Sequence, residues 1–183
     1  MILINKVHFM IYNLLLSLVM FLSFLNYAIA QTCSLSIIES TPTIRFLDNN
    51  DGTVTDKFTG LVWMRCSAGQ EWSGNSCDGE AVKMTWGDAL AHAEQTSFAN
   101  KDDWYLPNIK ELGSIIEESC HSPAVNEMVF LSAESSNYWS SSIPSYFRIT
   151  NEDRVMGINF ESGGDAPANK YDLNSIRLVR DGG

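Results

Sequence analysis

All four cysteines of this 183-residue chain, Cys33, Cys66, Cys77 and Cys120, follow an N-terminal stretch built for export, and this limits the fold more than any other feature. That stretch carries Lys6, then the apolar run Ile11 to Leu25, then Ala28-Ile29-Ala30, the small-residue pattern read by signal peptidase. It predicts a signal peptide over residues 1–30, cut between Ala30 and Gln31. An uncleaved anchor would need roughly 18 or more unbroken apolar residues, and Asn13, Ser17, Ser23 and Asn26 interrupt the run. The folded part is therefore expected in the periplasm, at the cell surface or outside the cell, free of the membrane once the leader is removed.

An even number of cysteines in an exported chain reads as disulfides. Cys66 and Cys77 flank the polar segment Ser67 to Ser76, whose Gly, Ser and Asn content suits a hairpin, so these two are paired. Cys33 is then left to tie the N-terminus to Cys120. Closing a loop of the first kind stabilises by about 3 kcal/mol in the chain-entropy model. Zinc would want C-x-x-C spacing, which does not occur, and only His92 and His121 follow the leader. Neither a metal nor a cofactor is expected.

Charge narrows the partners. The chain has 12 basic and 22 acidic residues, a net charge of −10, and removing the leader with Lys6 makes it −11. Nucleic acid, which needs a basic patch, is excluded as a partner.

The coarse pattern is α+β. Residues 31–42 form a short lead, and residues 43–181 form a single domain. Thr43 to Leu47 reads as a strand, Asp48 to Gly52 as a turn with a strong Asp-Gly hairpin signal, and Thr53 to Arg65 as one or two further strands. A calcium loop with Gly52 at its sixth position would place Leu47 as first ligand, and an apolar side chain cannot serve. Two helices follow. Thr85 caps the first, with Asp88 three residues on and Trp86, Ala89, Leu90 and Ala93 on one face. Asn108 caps the second with Glu111, and Ile109, Leu112, Ile115 and Ile116 make a buried stripe that ends near Cys120. From Tyr138 the pattern returns to strands, over Tyr138 to Ser142, Tyr146 to Thr150, Arg154 to Phe160 and Ser175 to Arg180, with Gly163 to Lys170 as a mobile loop. The reading is a sheet of mostly antiparallel strands with two helices inserted between strand groups.

Chemistry-bearing residues are sparse. An enzyme needs a nucleophile or acid/base group beside a partner that tunes it. Ser140 to Ser142 lack a Gly-x-Ser-x-Gly elbow, and the pairs Glu117-Glu118 and Glu152-Asp153 diverge on regular elements. The chain is expected not to be an enzyme. The five tryptophans are more suggestive, because aromatic faces stack on sugars and cations. Trp63, Trp86, Trp104 and Trp139 fall within strand or helix patterns and read as core, whereas Trp72 lies in the clamped polar loop and is the first candidate for ligand contact. Tyr146, Arg148 and Asp165 are secondary candidates.

The order Asp51-Gly52-Thr53-Val54-Thr55-Asp56, Thr59-Gly60-Leu61-Val62-Trp63, Trp86 with Asp88-Ala89-Leu90, and Trp104-Tyr105-Leu106-Pro107-Asn108 with Glu111-Leu112 resembles the C-terminal domain family of the Legionella collagen-like protein. Tyr138-Trp139-Ser140-Ser141-Ser142 looks like that family's tryptophan-serine motif, and Arg177-Leu178-Val179-Arg180 like its closing strand, so the likeness spans about Phe46 to Arg180. The resemblance implies an extracellular binding module; the family's name-giving member is an adhesin whose domain trimerises and binds sulfated glycosaminoglycans. An acidic surface is a poor host for sulfated polysaccharide. The layout is also similar to the C-type-lectin-like and formylglycine-generating-enzyme folds, though the latter's redox cysteines have no counterpart after Cys120. Taken together, an adhesin-like module for a glycan or cell-surface partner is expected, with an envelope protein-interaction or structural component as the alternative and a hydrolase or modifying enzyme third.

Overall fold

The computed structural model describes residues 31–144 and 153–183. The leader, the strand expected over Tyr146 to Thr150, and the candidates Tyr146 and Arg148 lie outside the described residues.

Strand β1 (Thr32–Cys33) opens the chain, and β2 (Phe46–Asp48), β3 (Thr53–Asp56) and β4 (Leu61–Met64) make an antiparallel meander. The last strand, β12 (Val179–Asp181), joins β4 antiparallel, giving a four-stranded sheet in the order β12-β4-β3-β2. The β2–β3 connection turns where Asn50 and Gly52 take left-handed backbone, φ 60° and 87°, as its Asp-Gly sequence predicts. The expected strand over Thr43 to Leu47 starts later. Thr43–Arg45 is a 3-10 turn closed by Arg45 N–H donating to Pro42 O, and only Phe46 onward is extended.

The remaining strands are short. They are β5 (Glu71–Trp72) paired with β6 (Cys77–Asp78), β7 (Cys120–His121) with β1, β8 (Asn137–Trp139) with β10 (Gly157–Asn159), and β9 (Arg154–Val155) with β11 (Ala168–Asn169), all antiparallel. The segment Gly163 to Lys170, read from sequence as a mobile loop, thus supplies a strand of its own. Disulfides join Cys66 to Cys77 and Cys33 to Cys120, the pairing that loop composition favoured. Such bonds belong to an oxidising environment, and no helix of the described residues is long and apolar enough to cross a membrane.

Helix α1 (Trp86–Gln95) starts where Thr85 Oγ1 accepts the Asp88 N–H, and helix α2 (Ile109–Gly113) starts on a complete capping box between Asn108 and Glu111. The expected second helix is cut short. After Gly113 the chain turns, Ile116 bridges to Val125, and Glu117 N–H goes to Ala124 O instead of back into a helix. Leu112 and Ile115 are nonetheless both buried.

Alternation along β4 sorts the core into two layers. Trp63, with Phe46, Val54 and Val179, points into a cluster that includes Leu112, Ile115, Val125 and Phe130. Val62, with Leu178, points the other way, into a cluster holding Ala89 and Ala93 of α1 together with Trp104, Leu106 and Trp139. Trp63, Trp104 and Trp139 are buried and Trp86 half-buried, so the four tryptophans read as core are packed there.

Two charged side chains are built into these layers. Asp56, fully buried, takes a bidentate pair from Arg45 at 2.7 and 2.5 Å. Arg177, also fully buried, donates to the carbonyls of Met64 and Arg65 and to Ser67 Oγ, with its guanidinium 5.0 Å from the centre of the Phe130 ring. Ser67 in turn bonds the Tyr138 hydroxyl at 2.8 Å.

Candidate functional site

Trp72 is half-buried on β5, directly opposite Cys77, so the Cys66–Cys77 bond closes the base of its hairpin. The Arg65 guanidinium lies 5.0 Å from the centre of the Trp72 ring. Arg65 is itself held by Asp48 Oδ2 at 2.7 Å and by the carbonyls of Val129 and Met128 at 3.0 and 3.1 Å. The ring also meets Gly52, where an added Cβ would come within 2.8 Å of Trp72 and 2.7 Å of Phe98. The left-handed backbone at this position and the close approach of two rings both call for glycine. Trp72 is therefore seated against the β2–β3 turn and does not project freely from its loop.

Beside that turn lies a cleft of about 260 Å³, just below the ~300–1,000 Å³ usual for small-molecule sites. Its polar groups come from Asn49, Asp51, Thr53 and Thr55 of the β2–β3 hairpin, from Lys101, and from Arg180 of β12, with Trp104 and Val62 as apolar lining. The sheet explains the placement. Thr53 and Thr55 are two apart on β3 and so share one face, and Val62 stands directly opposite Thr55 on β4 with Arg180 beyond it.

Short bonds set the geometry. Asn49 Nδ2 donates to the Thr53 and Thr55 hydroxyls at 2.9 and 3.1 Å, and Asp51 Oδ1 accepts from Thr53 Oγ1 at 2.6 Å and Thr53 N–H at 3.0 Å. Arg180 clamps Asp103 through Nε and Nη2 at 2.7 and 2.9 Å, and these bonds hold the Asp103 carboxyl below its ordinary range. Ala99 and Asn100 take left-handed φ of 51° and 57° between Phe98 and Lys101, which exchange backbone bonds across a two-residue turn. That turn brings Lys101 to the cleft, while Phe98 packs edge-on to Trp104 at 6.3 Å. Trp72 and Phe98 both approach Gly52, which stands between the cleft residues Asp51 and Thr53.

Hydroxyls, an amide, a carboxylate and an ammonium group around an aromatic wall offer both donors and acceptors to a polyhydroxyl ligand. The serines after Trp139 are otherwise engaged. Ser140 Oγ is buried and donates to Met156 O, and Ser142 Oγ accepts the Ile109 N–H. Asp165 is exposed in the turn that bridges to Ile158, and its neighbourhood shares none of the residues around Trp72. Sequence reading missed Asn49, Thr53, Thr55, Lys101 and Arg180 as a group. The one available signal was the Thr-x-Thr alternation, which predicts two hydroxyls on one face of a strand.

The family model for the Lcl C-terminal domain matches residues 52–180. The chain belongs to the Lcl C-terminal domain family. No curated protein matches it. Within the Lcl C-terminal domain fall Thr53, Thr55, Trp72, Lys101, Trp104 and Arg180, whereas Asn49, Asp51, strand β2 and the lead from Gln31 precede the matched residues. The two disulfides divide likewise. Cys66–Cys77 is internal to the Lcl C-terminal domain, and Cys33–Cys120 ties the preceding lead to it.

Proposed function

We propose that this chain is an exported, non-enzymatic binding module that recognises an uncharged glycan at a cell surface through the cleft beside the β2–β3 turn. The observation that carries this reading is the convergence of Asn49, Asp51, Thr53, Thr55 and Lys101 on one small cleft lined by Trp104, with Trp72 and Phe98 packed on Gly52 of the adjoining turn. Short hydroxyl and amide side chains fixed by mutual hydrogen bonds suit sugar hydroxyls. Asp51 in the cleft and the overall acidity weigh against sulfated chains, which a negative potential repels.

The test is a glycan-array screen of the protein exported from its full chain, at two salt concentrations, alongside Thr55→Val and Trp72→Ala. Selective binding that changes little with salt and falls about tenfold in Thr55→Val supports the reading, since removing one hydrogen-bond partner costs on the order of 1–1.5 kcal/mol. Absence of binding to every glycan, or binding that neither variant weakens, overturns it.

A further inference from the structure

A second surface lies where the lead crosses the domain. The lead is latched at two places. At one end β1 pairs with β7, Cys33 is bonded to Cys120, and Ser34 N–H donates to Ser119 O at 2.7 Å. At the other, Glu117 receives Ser40 N–H at 3.0 Å and both Thr41 donors, while Asn126 Nδ2 holds Thr41 O at 2.8 Å. Between these latches the apolar side chains stay uncovered. Leu35 is fully exposed and Ile38 92% exposed, Ile37 is half exposed, and Met128 on the facing segment is 74% exposed.

Leu35, Ile37 and Met128 border a groove of about 420 Å³ whose lining also includes Glu39 and Glu127. Among the described residues no cation pairs with its Glu39 or Glu127, although Lys57 lines a neighbouring hollow with Glu39. Neither Glu39 nor Glu127 makes a side-chain hydrogen bond or ion pair among the described residues, and Arg45, which borders a neighbouring hollow with Glu39, is committed to Asp56. Burial pushes the Glu127 carboxyl above its ordinary value, as expected of an acid lacking a cation.

We infer that this groove docks a basic, apolar peptide segment of a partner protein, with aliphatic side chains against Leu35, Ile37 and Met128 and a lysine or arginine on Glu127. Charge complementarity selects this occupant. A second copy would bring like carboxylates together between two bodies that each carry −11 beyond the leader, and an anionic lipid surface is repelled for the same reason. The double latch holds the apolar rim in place before binding, which lowers the ordering cost of docking. The lead half of the groove precedes the residues matched by the family model, and the half that carries Glu127 and Met128 lies within them.

The experiment measures fluorescence anisotropy of a labelled peptide of alternating lysine and leucine, titrated with the exported protein. Lysine–serine and glutamate–leucine peptides serve as controls, and each protein variant is checked by thermal unfolding. The lysine–leucine peptide alone is expected to bind, about tenfold more weakly in Glu127→Gln and in Leu35→Ser and unchanged in Glu94→Gln on the exposed side of α1. The inference is overturned by no binding, by equal binding of the lysine–serine peptide, by affinity unaltered in Glu127→Gln, or by self-association in sedimentation that Leu35→Ser abolishes.

Discussion

Glu117 accepts two hydrogen bonds from Thr41, from its backbone N–H at 2.7 Å and its hydroxyl at 2.9 Å. Burial would raise the Glu117 carboxyl, but bonds from Ser119, Thr41 and Ser40 outweigh it and hold the pKa down to about 2, from an ordinary 4.5. A carboxylate with a lowered folded pKa stabilises above its unfolded value and loses that stability as pH falls through the folded one. Urea unfolding between pH 7 and pH 2 is therefore expected to lose about 3 kcal/mol from this group, mostly below about pH 4.5. Glu117→Gln should flatten much of that slope, leaving the share of Asp56, also held low against its burial by Arg45. An unaltered slope in the variant would show that Glu117 is not the main acid-sensitive latch.

Arg177 is a buried cation whose two Nη atoms donate to two carbonyls and a hydroxyl, with no carboxylate among those bonds and with Nε lacking a partner among the described residues. Arg177→Met would leave the Met64 and Arg65 carbonyls short of their donor and uncouple Ser67 from the guanidinium. A loss of about 3 kcal/mol or more is expected in chemical denaturation. A loss under about 1 kcal/mol would mean that those carbonyls find other donors.

Gly157 faces Trp139 across the β8–β10 pair, and a Cβ built there would lie 2.5 Å from the Tyr138 carbonyl oxygen. Backbone, unlike a side chain, cannot swing away. Gly157→Ala is thus expected to cost about 1–3 kcal/mol by forcing the strands apart, read as a lowered urea midpoint. An unchanged midpoint would show that the two strands separate freely.

The Cys66–Cys77 bond fixes the hairpin that seats Trp72 on Gly52 and Arg65. Replacing both cysteines by serine should cost about 2–3 kcal/mol and shift Trp72 emission to the red as its ring gains solvent. The shift is obtained by difference from the same pair of variants carrying Trp72→Phe. Loss of stability with no spectral change would separate the clamp from the tryptophan.

Much of this molecule was written locally. The two helix starts follow from Thr85 with Asp88 and Asn108 with Glu111, because a cap is made between side chains and backbone only a few residues apart. The β2–β3 turn, the α+β character and the pairing of Cys66 with Cys77 were legible for the same reason. Tertiary structure decided what depends on partners distant in the chain. The second helix stops at Gly113 despite an apolar stripe that continues to Ile116, because the backbone beyond it bonds to Ala124. Arg45 closes a 3-10 turn on Pro42 while its guanidinium reaches Asp56, so the expected strand begins only at Phe46. The cleft gathers the hairpin at Asn49 to Thr55, Lys101 and Arg180, and the groove joins Leu35 to Met128. Periodicity along a chain determines which face a side chain occupies; only folding determines which faces, separated by tens of residues, come to border one site.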